Sequence, residues 1–234
     1  MTNPSLTSPS LGKRFLRFLE GLRSGLFRTY CLDAKTVPSP TGDRVVADVG
    51  SFLPIYERDH VVGPDSAPVT LVEYGDYECA ECGRLYRDIA GLLAASGDQI
   101  RFVFRQYPFA KLHTHAELAA EAAEAAAAQG KFWEMHEMLF LHQSALREKD
   151  LLGYARTLGI DLDRFRCELG NRVHRERVRV DFRSGVSNGV FGTPSIFING
   201  IRHSGAMGRE SLRDAICRIT CDRIEARIVY SGCC

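Results

Sequence analysis

Cys79-Ala80-Glu81-Cys82 holds the two residues of this chain whose type and spacing speak most directly of chemistry. The pair follows an apolar, β-type run from Val69 to Tyr74 and the turn residues Gly75-Asp76. Beyond it, Leu85, Ile89, Leu92 and Leu93 recur at helical spacing and predict a helix over 79–96, closed by Gly97. A strand thus delivers two thiols to the start of a helix. The first turn of a helix offers free N–H groups and partial positive charge. A thiolate held there is stabilised, its pKa falls and it becomes a nucleophile. Cys79 is the expected attacking sulfur. Cys82, one turn further in, is placed to resolve a mixed disulfide.

A lone C-x-x-C is also half of a zinc site, which needs two more ligands. Two features favour redox chemistry. Glu73 sits six residues before Cys79 on the apolar strand. A buried carboxylate behind the second thiol can accept its proton as it attacks. The plainer alternative is a solvated strand glutamate, which the apolar neighbours disfavour. The second feature is Gly192-Thr193-Pro194-Ser195 just before Ile196-Phe197-Ile198. Proline at a strand start signals a turn or a cis peptide, against the alternative of an ordinary trans proline on an edge strand. A cis Pro194 would present the Thr193 backbone to the disulfide and to an extended substrate.

Together these residues resemble the DsbA-type branch of the thioredoxin superfamily, over roughly residues 59–221. The match includes Asp59-His60, Gly63, Ala67-Pro68-Val69 and the strand with its C-x-x-C. It continues through Phe104-Arg105-Gln106-Tyr107-Pro108, His115-Ala116, Gln129-Gly130-Lys131-Phe132-Trp133, Gly192-Thr193-Pro194-Ser195 and Phe197-Ile198-Asn199-Gly200. The resemblance implies an α/β, thioredoxin-like fold with a central mixed sheet and an inserted helical lobe. It implies a thiol–disulfide oxidoreductase that exchanges disulfides with protein or small thiol substrates, with a thiol electron donor or acceptor and no required cofactor. One departure matters. Ala80-Glu81 stands where relatives often carry proline followed by histidine or tyrosine, so a redox potential does not carry over. The Glu81 charge is expected to disfavour the Cys79 thiolate and make the disulfide less oxidising, so Glu81→His is expected to lower the Cys79 pKa.

The elements around this centre follow from pattern. The chain has 234 residues and a formal net charge of +1, with no basic or acidic excess that would point to nucleic acid. No apolar run reaches membrane-spanning length. Eight cysteines without a recognisable secretory leader point to a reducing compartment, so a cytoplasmic protein is expected. Residues 1–58 read as an extension: a Ser/Thr/Pro-rich start, an amphipathic helix over 13–28, the isolated Cys31 and the linker Pro38-Ser39-Pro40-Thr41-Gly42. Phe15, Phe18, Leu19, Leu22 and Leu26 form its apolar stripe, with Lys13, Arg14, Arg17 and Arg28 opposite. That helix suits peripheral contact with an anionic membrane, covering of the domain or a partner subunit, or, ranked lower, a transit peptide.

The redox domain is expected over 59–226, with an edge strand drawn from Val45 to Tyr56. Ile100–Gln106 alternates Ile100, Phe102 and Phe104 and predicts the second central strand, parallel to the first. Helices are expected over 116–129, 132–142, 150–158, 161–169 and 172–187, an insertion of about 113–188 forming one wall of a substrate groove. His113, His115, His136 and His142 lack metal-ligand spacing. Cys167 reads as a packed small hydrophobe. Ser195–Asn199 and Ile201–Ser204 form a hairpin, followed by a helix from Gly208 to about Ile224 whose core stripe is Leu212, Ala215, Ile216 and Ile219.

Cys217 and Cys221 fall off that stripe, one turn apart, and the tail over 227–234 ends in Cys233-Cys234. Adjacent Cα atoms lie about 3.8 Å apart, short of the usual disulfide span of about 4.4–6.8 Å. These four thiols admit three readings: an electron relay to Cys79/Cys82, a site for zinc or another soft metal, or an incidental tail. A prenylated terminus has no other support in the sequence. A metal-binding protein or a redox switch built on these cysteines is therefore the alternative to the oxidoreductase.

Overall fold

Val69–Gly75 and Ile100–Gln106 become the two central strands, β4 and β5, and every residue of both is buried. Strands covered on both faces need continuous apolar content, and both runs have it apart from the charged and polar residues treated below. The computed structural model describes residues 45–46 and 53–219. Before the centre lie β1 (Val45–Val46), β2 (Ile55–Tyr56) and β3 (His60–Val62). After it come β6 (Ser195–Ile198) and β7 (Ile201–Arg202). The main sheet has the order β3-β5-β4-β6-β7. β4 and β5 are parallel, and all other pairs are antiparallel. This is the mixed sheet expected of a thioredoxin-like fold.

The predicted edge strand over 45–56 resolves differently. β1 and β2 are two residues each and pair only with one another, outside the main sheet. The edge beside β5 is β3, and Gly63 follows it directly. That glycine has φ +101°, and a Cβ there would lie 2.3 Å from the Ile100 carbonyl oxygen, so the chain can cross β5 only with no side chain.

Helix α1 (Ala80–Ser96) connects β4 to β5 and buries Cys82, Leu85, Ile89, Leu92 and Leu93 against the sheet. Between β5 and β6 lies the helical lobe: α2 (Ala116–Ala127), α3 (Phe132–Leu141), α4 (Glu148–Thr157), α5 (Leu162–Gly170) and α6 (Arg175–Ser187). Alanines of α2 are fully buried, and their small side chains let α3, α5 and α6 pack directly on it. The lobe meets α1 through α3 and β5 through α6. Helical turns over 209–219, α7, bury Leu212 and Ile216 as expected. Cys167 does not pack: it is exposed on α5, on the face opposite the buried Phe165 and Leu169. The amphipathic segment 13–28 and the terminal cysteines lie outside the described residues.

Candidate active site

The site begins at the end of β4. Asp76 accepts the Cys79 N–H on its backbone carbonyl at 3.2 Å and the Glu78 N–H on Oδ1 at 2.8 Å. That turn sets Cys79 as the N-cap of α1, extended at φ −77°, ψ 119°. No side chain caps the helix, so its first N–H groups are left to the sulfur. Both cysteines are thiols here. Cys82 is fully buried and Cys79 nearly so.

The Thr193–Pro194 peptide is cis, and the Thr193 carbonyl oxygen lies 3.5 Å from Cys79 Sγ. The Cys82 thiol, hydrogen-bonded to Cys79, is the main cause that lowers the Cys79 pKa from 9.0 to about 5. Burial opposes this. The Cys82 and Glu81 backbone N–H groups and the Thr193 side chain add to it. Cys82 moves the other way. Burial first, then its bond to Cys79 and the charges of Glu73 and Cys79, push it well above 9.0. The two thiols are thus split into an ionised one at the helix start and a protonated one a turn further in.

Glu73 stands in β4 opposite Phe104 and Ile196, on the face that α1 covers. It is 1% exposed. Burial, with the Cys79 charge adding, raises its pKa from 4.5 to about 8. Its Oε1 has no hydrogen-bond partner among the described residues. It faces a cavity of about 10 Å³, lined also by Tyr86, Phe102 and His136. That is about the space of one water molecule. His136 is kept neutral by burial, and its Nδ1 shares a hydrogen bond with the Tyr77 hydroxyl at 3.0 Å.

Residues far away in sequence hold the turn. Gln143, between α3 and α4, donates from Nε2 to the carbonyl oxygens of Tyr77 and Cys79 at 2.9 and 2.8 Å. Its side chain lies over Gly83, where a Cβ would come within 2.0 Å of Oε1. Asp76 Oδ2 accepts the Phe109 N–H and His113 Nδ1–H, each at 2.8 Å. Glu78 accepts the His115 N–H at 2.7 Å and His115 Nδ1–H at 2.9 Å.

Of the residues expected from sequence, Cys79, Cys82, Glu73, Thr193 and Pro194 converge here. Glu81 does not act as expected. It is exposed and paired with Arg84, so its charge is neutralised and screened by solvent. His113, His115, His136 and His142 each take a different partner, and among the described residues no group of three or more candidate ligands forms a metal site. Cys217 is exposed on α7. Its proposed companions Cys221, Cys233 and Cys234 lie outside the described residues. Sequence reasoning missed Asp76, His113 and Gln143. Only the Asp76-x-Glu78 turn spacing before Cys79 hinted at the first.

Residues 56–218 match the thioredoxin family model. The chain belongs to the thioredoxin family, and it carries a helical lobe between β5 and β6. It is similar to oxidised BdbD from Bacillus subtilis, with TM-score 0.63 and 25% identity over 70% of this chain and 93% of that one. A thioredoxin-like oxidoreductase from Silicibacter pomeroyi gives TM-score 0.61 and 28% identity, over 69% and 92%. In sequence it is 49% identical over 160 residues to a protein named Na(+)/H(+) antiporter NhaA 1 from Salinispora arenicola. That match covers 68% of this chain and 24% of the relative, so the chain spans about a quarter of the curated relative's length. Among the fold neighbours is a periplasmic thioredoxin-like protein from Salmonella enterica serovar Typhimurium, TM-score 0.56 and 19% identity over 69% and 90%. The cytoplasmic expectation is overturned by this company. It rested only on the lack of a recognisable leader.

Proposed function

We propose that this chain is a thiol–disulfide oxidoreductase that exchanges disulfides with thiol- or disulfide-containing protein substrates through Cys79 and Cys82. The observation that carries the reading is geometric: Cys79 at the N-cap of α1 with the Thr193 carbonyl of the cis Thr193–Pro194 peptide 3.5 Å from its sulfur, and Cys82 buried one turn further in. The opposite pKa directions of the two thiols agree with it. In the oxidising direction, a substrate thiolate attacks Cys79 of the disulfide and Cys82 leaves as a thiolate that takes up a proton. A second substrate thiolate then releases Cys79, the better leaving group. Two electrons pass from the substrate dithiol to the Cys79–Cys82 disulfide. In the reducing direction, the Cys79 thiolate attacks a substrate disulfide and Cys82 resolves the mixed disulfide.

Resolution requires Cys82 to lose its proton. Once Cys79 is bonded to substrate, its hydrogen bond and charge no longer hold the Cys82 pKa up. The same event removes the Cys79 charge that raises Glu73. Both groups become stronger acids together, and Glu73 is the acceptor at hand, with room for one water beside it. The Thr193 backbone at the cis proline would align the extended substrate beside Cys79. A thiol electron donor or acceptor must restore the pair. Reduction of insulin by dithiothreitol tests the proposal: wild type accelerates it, Cys79→Ser does not, and acceleration by Cys79→Ser would overturn the reading.

A further inference from the structure

The dipeptide between the cysteines supplies no cation: Ala80 is neutral and Glu81 faces solvent. An anion lies close by instead. Asp76, three residues before Cys79, is completely buried, and its carboxylate sits in the turn whose backbone fixes the Cys79 N–H. A buried negative charge there repels a thiolate and weakens the effect of the helix N-terminus. We propose that His113 is a positioning residue for the redox pair: clamped on Asp76, its imidazolium offsets that charge and favours the Cys79 thiolate.

The geometry supports this role. His113 comes from the loop after β5, which lies along the turn. Asp76 Oδ2 binds the Phe109 N–H at one end and His113 Nδ1–H at the other, and Glu78 binds His115 by backbone and ring. Two acids flanking Tyr77 thus hold two histidines two residues apart. Of the two, His113 is the more enclosed, at 24% exposure against 38% for His115. The charged groups that act on it are Asp76, Glu78 and Cys79 from the turn and helix, while Lys111 and His115 lie within two residues of it along its own loop. Burial pulls its pKa down, but the hydrogen bond and charge of Asp76, with Cys79 and Glu78 adding, hold it above 6.5. At higher pH His113 loses its proton, the Asp76 charge stands alone and the thiolate becomes less favourable. The reduced pair then loses stability, and the disulfide becomes a weaker oxidant.

Coupling between two titrating sites is reciprocal. If His113 steadies the Cys79 thiolate, forming the disulfide must lower the His113 pKa. This inference rests on the oxidoreductase reading, and one experiment separates the two. The full chain is reduced with dithiothreitol or oxidised with excess oxidised glutathione, which takes the two electrons, and its imidazole resonances are followed against pH. The His113 pKa is expected to fall by roughly half a unit to one unit on oxidation. An identical value in both states overturns the role of His113, whereas failure of the pair to oxidise at all overturns the parent reading. A variant series adds a readout that a purely structural role would not move. His113→Asn keeps an N–H toward Asp76 without the charge and should raise the Cys79 midpoint, read from thiolate absorbance, by a similar amount. His113→Lys restores a cation and should bring the midpoint part of the way back. Equal midpoints for Asn and Lys variants would contradict the proposal.

Discussion

Glu73 and Arg105 are buried ionisable side chains one register position apart along the same pair of strands, and they meet opposite fates. Glu73 lies opposite Phe104, on the α1 face, and Arg105 lies opposite Tyr74, on the other face. Arg105 is saturated. Its Nε and Nη2 reach Asp59 at 3.0 and 2.6 Å, Nη2 also reaches the Pro54 carbonyl at 2.6 Å, and Nη1 reaches Tyr74 and Ser184 at 2.9 and 3.3 Å. Burial alone would lower its pKa, but Asp59 outweighs it and Arg105 stays charged. Glu73 keeps an oxygen without a partner and is pushed up to about 8. A fully partnered buried charge is scaffold. A buried acid left short of partners, beside two thiols, is poised to move a proton.

The sharpest way to break this contrast is at the sulfurs. Cys79→Ser should reduce disulfide exchange to background and leave denaturant unfolding of the reduced protein nearly unchanged. Cys82→Ser should still attack but accumulate the mixed disulfide, visible by mass. On the other face, Arg105→Met strands the fully buried Asp59 carboxylate. It should cost about 3–5 kcal/mol in denaturant unfolding while the Cys79 titration stays where it was. A shifted Cys79 midpoint would mean that the two faces are not independent.

Glu73→Gln should act in the opposite sense to Arg105→Met. Turnover at neutral pH should fall roughly 10²-fold as resolution slows. Stability should rise, but only in one window. The folded-state pKa of about 8 lies above the unfolded 4.5, so the protonated form is the favoured one. Wild type therefore keeps its full stability below pH 4.5 and loses it as the pH rises through about 8. The glutamine variant should be more stable than wild type by roughly 2–4 kcal/mol at pH 9 and equal to it near pH 4. A gain of the same size at both pH values would remove the titration argument. The smallest effect belongs to Glu81. With its charge on Arg84 in solvent, Glu81→His should lower the Cys79 midpoint by only a few tenths of a unit.

The parts of the site legible in sequence were those made by neighbours along the chain. A strand, a C-x-x-C and a helix fix Cys79 and Cys82 locally, Glu73 follows from strand phase, and Thr193-Pro194 announces itself by proline before a strand. The individual strands and helices followed from the same periodicities, with helix ends misjudged by one to three residues, while their assembly into a thioredoxin-like fold was what the resemblance implied. What was not legible depends on pairing across the lobe. His113 and Asp76 are 37 residues apart, and Gln143 reaches back 64 residues to Cys79. Spacing rules test histidines against each other, and here every histidine answers to a different partner. Cys167 was misread because helix α5 buries only one narrow side, Phe165 and Leu169, and the cysteine sits off it.

The central claim is that the site favours the reduced pair, with Cys79 ionised and Cys82 protonated, and so makes the disulfide oxidising. The reduction potential of Cys79/Cys82 tests it most directly, by equilibration with glutathione in a protein with Cys217, Cys221, Cys233 and Cys234 changed to serine. A Cys79 pKa of about 5 falls between the values of about 7 for thioredoxin and about 3.5 for DsbA. The predicted potential is correspondingly between, at about −200 mV or higher. A value of about −270 mV or lower, that of thioredoxin, would contradict the account.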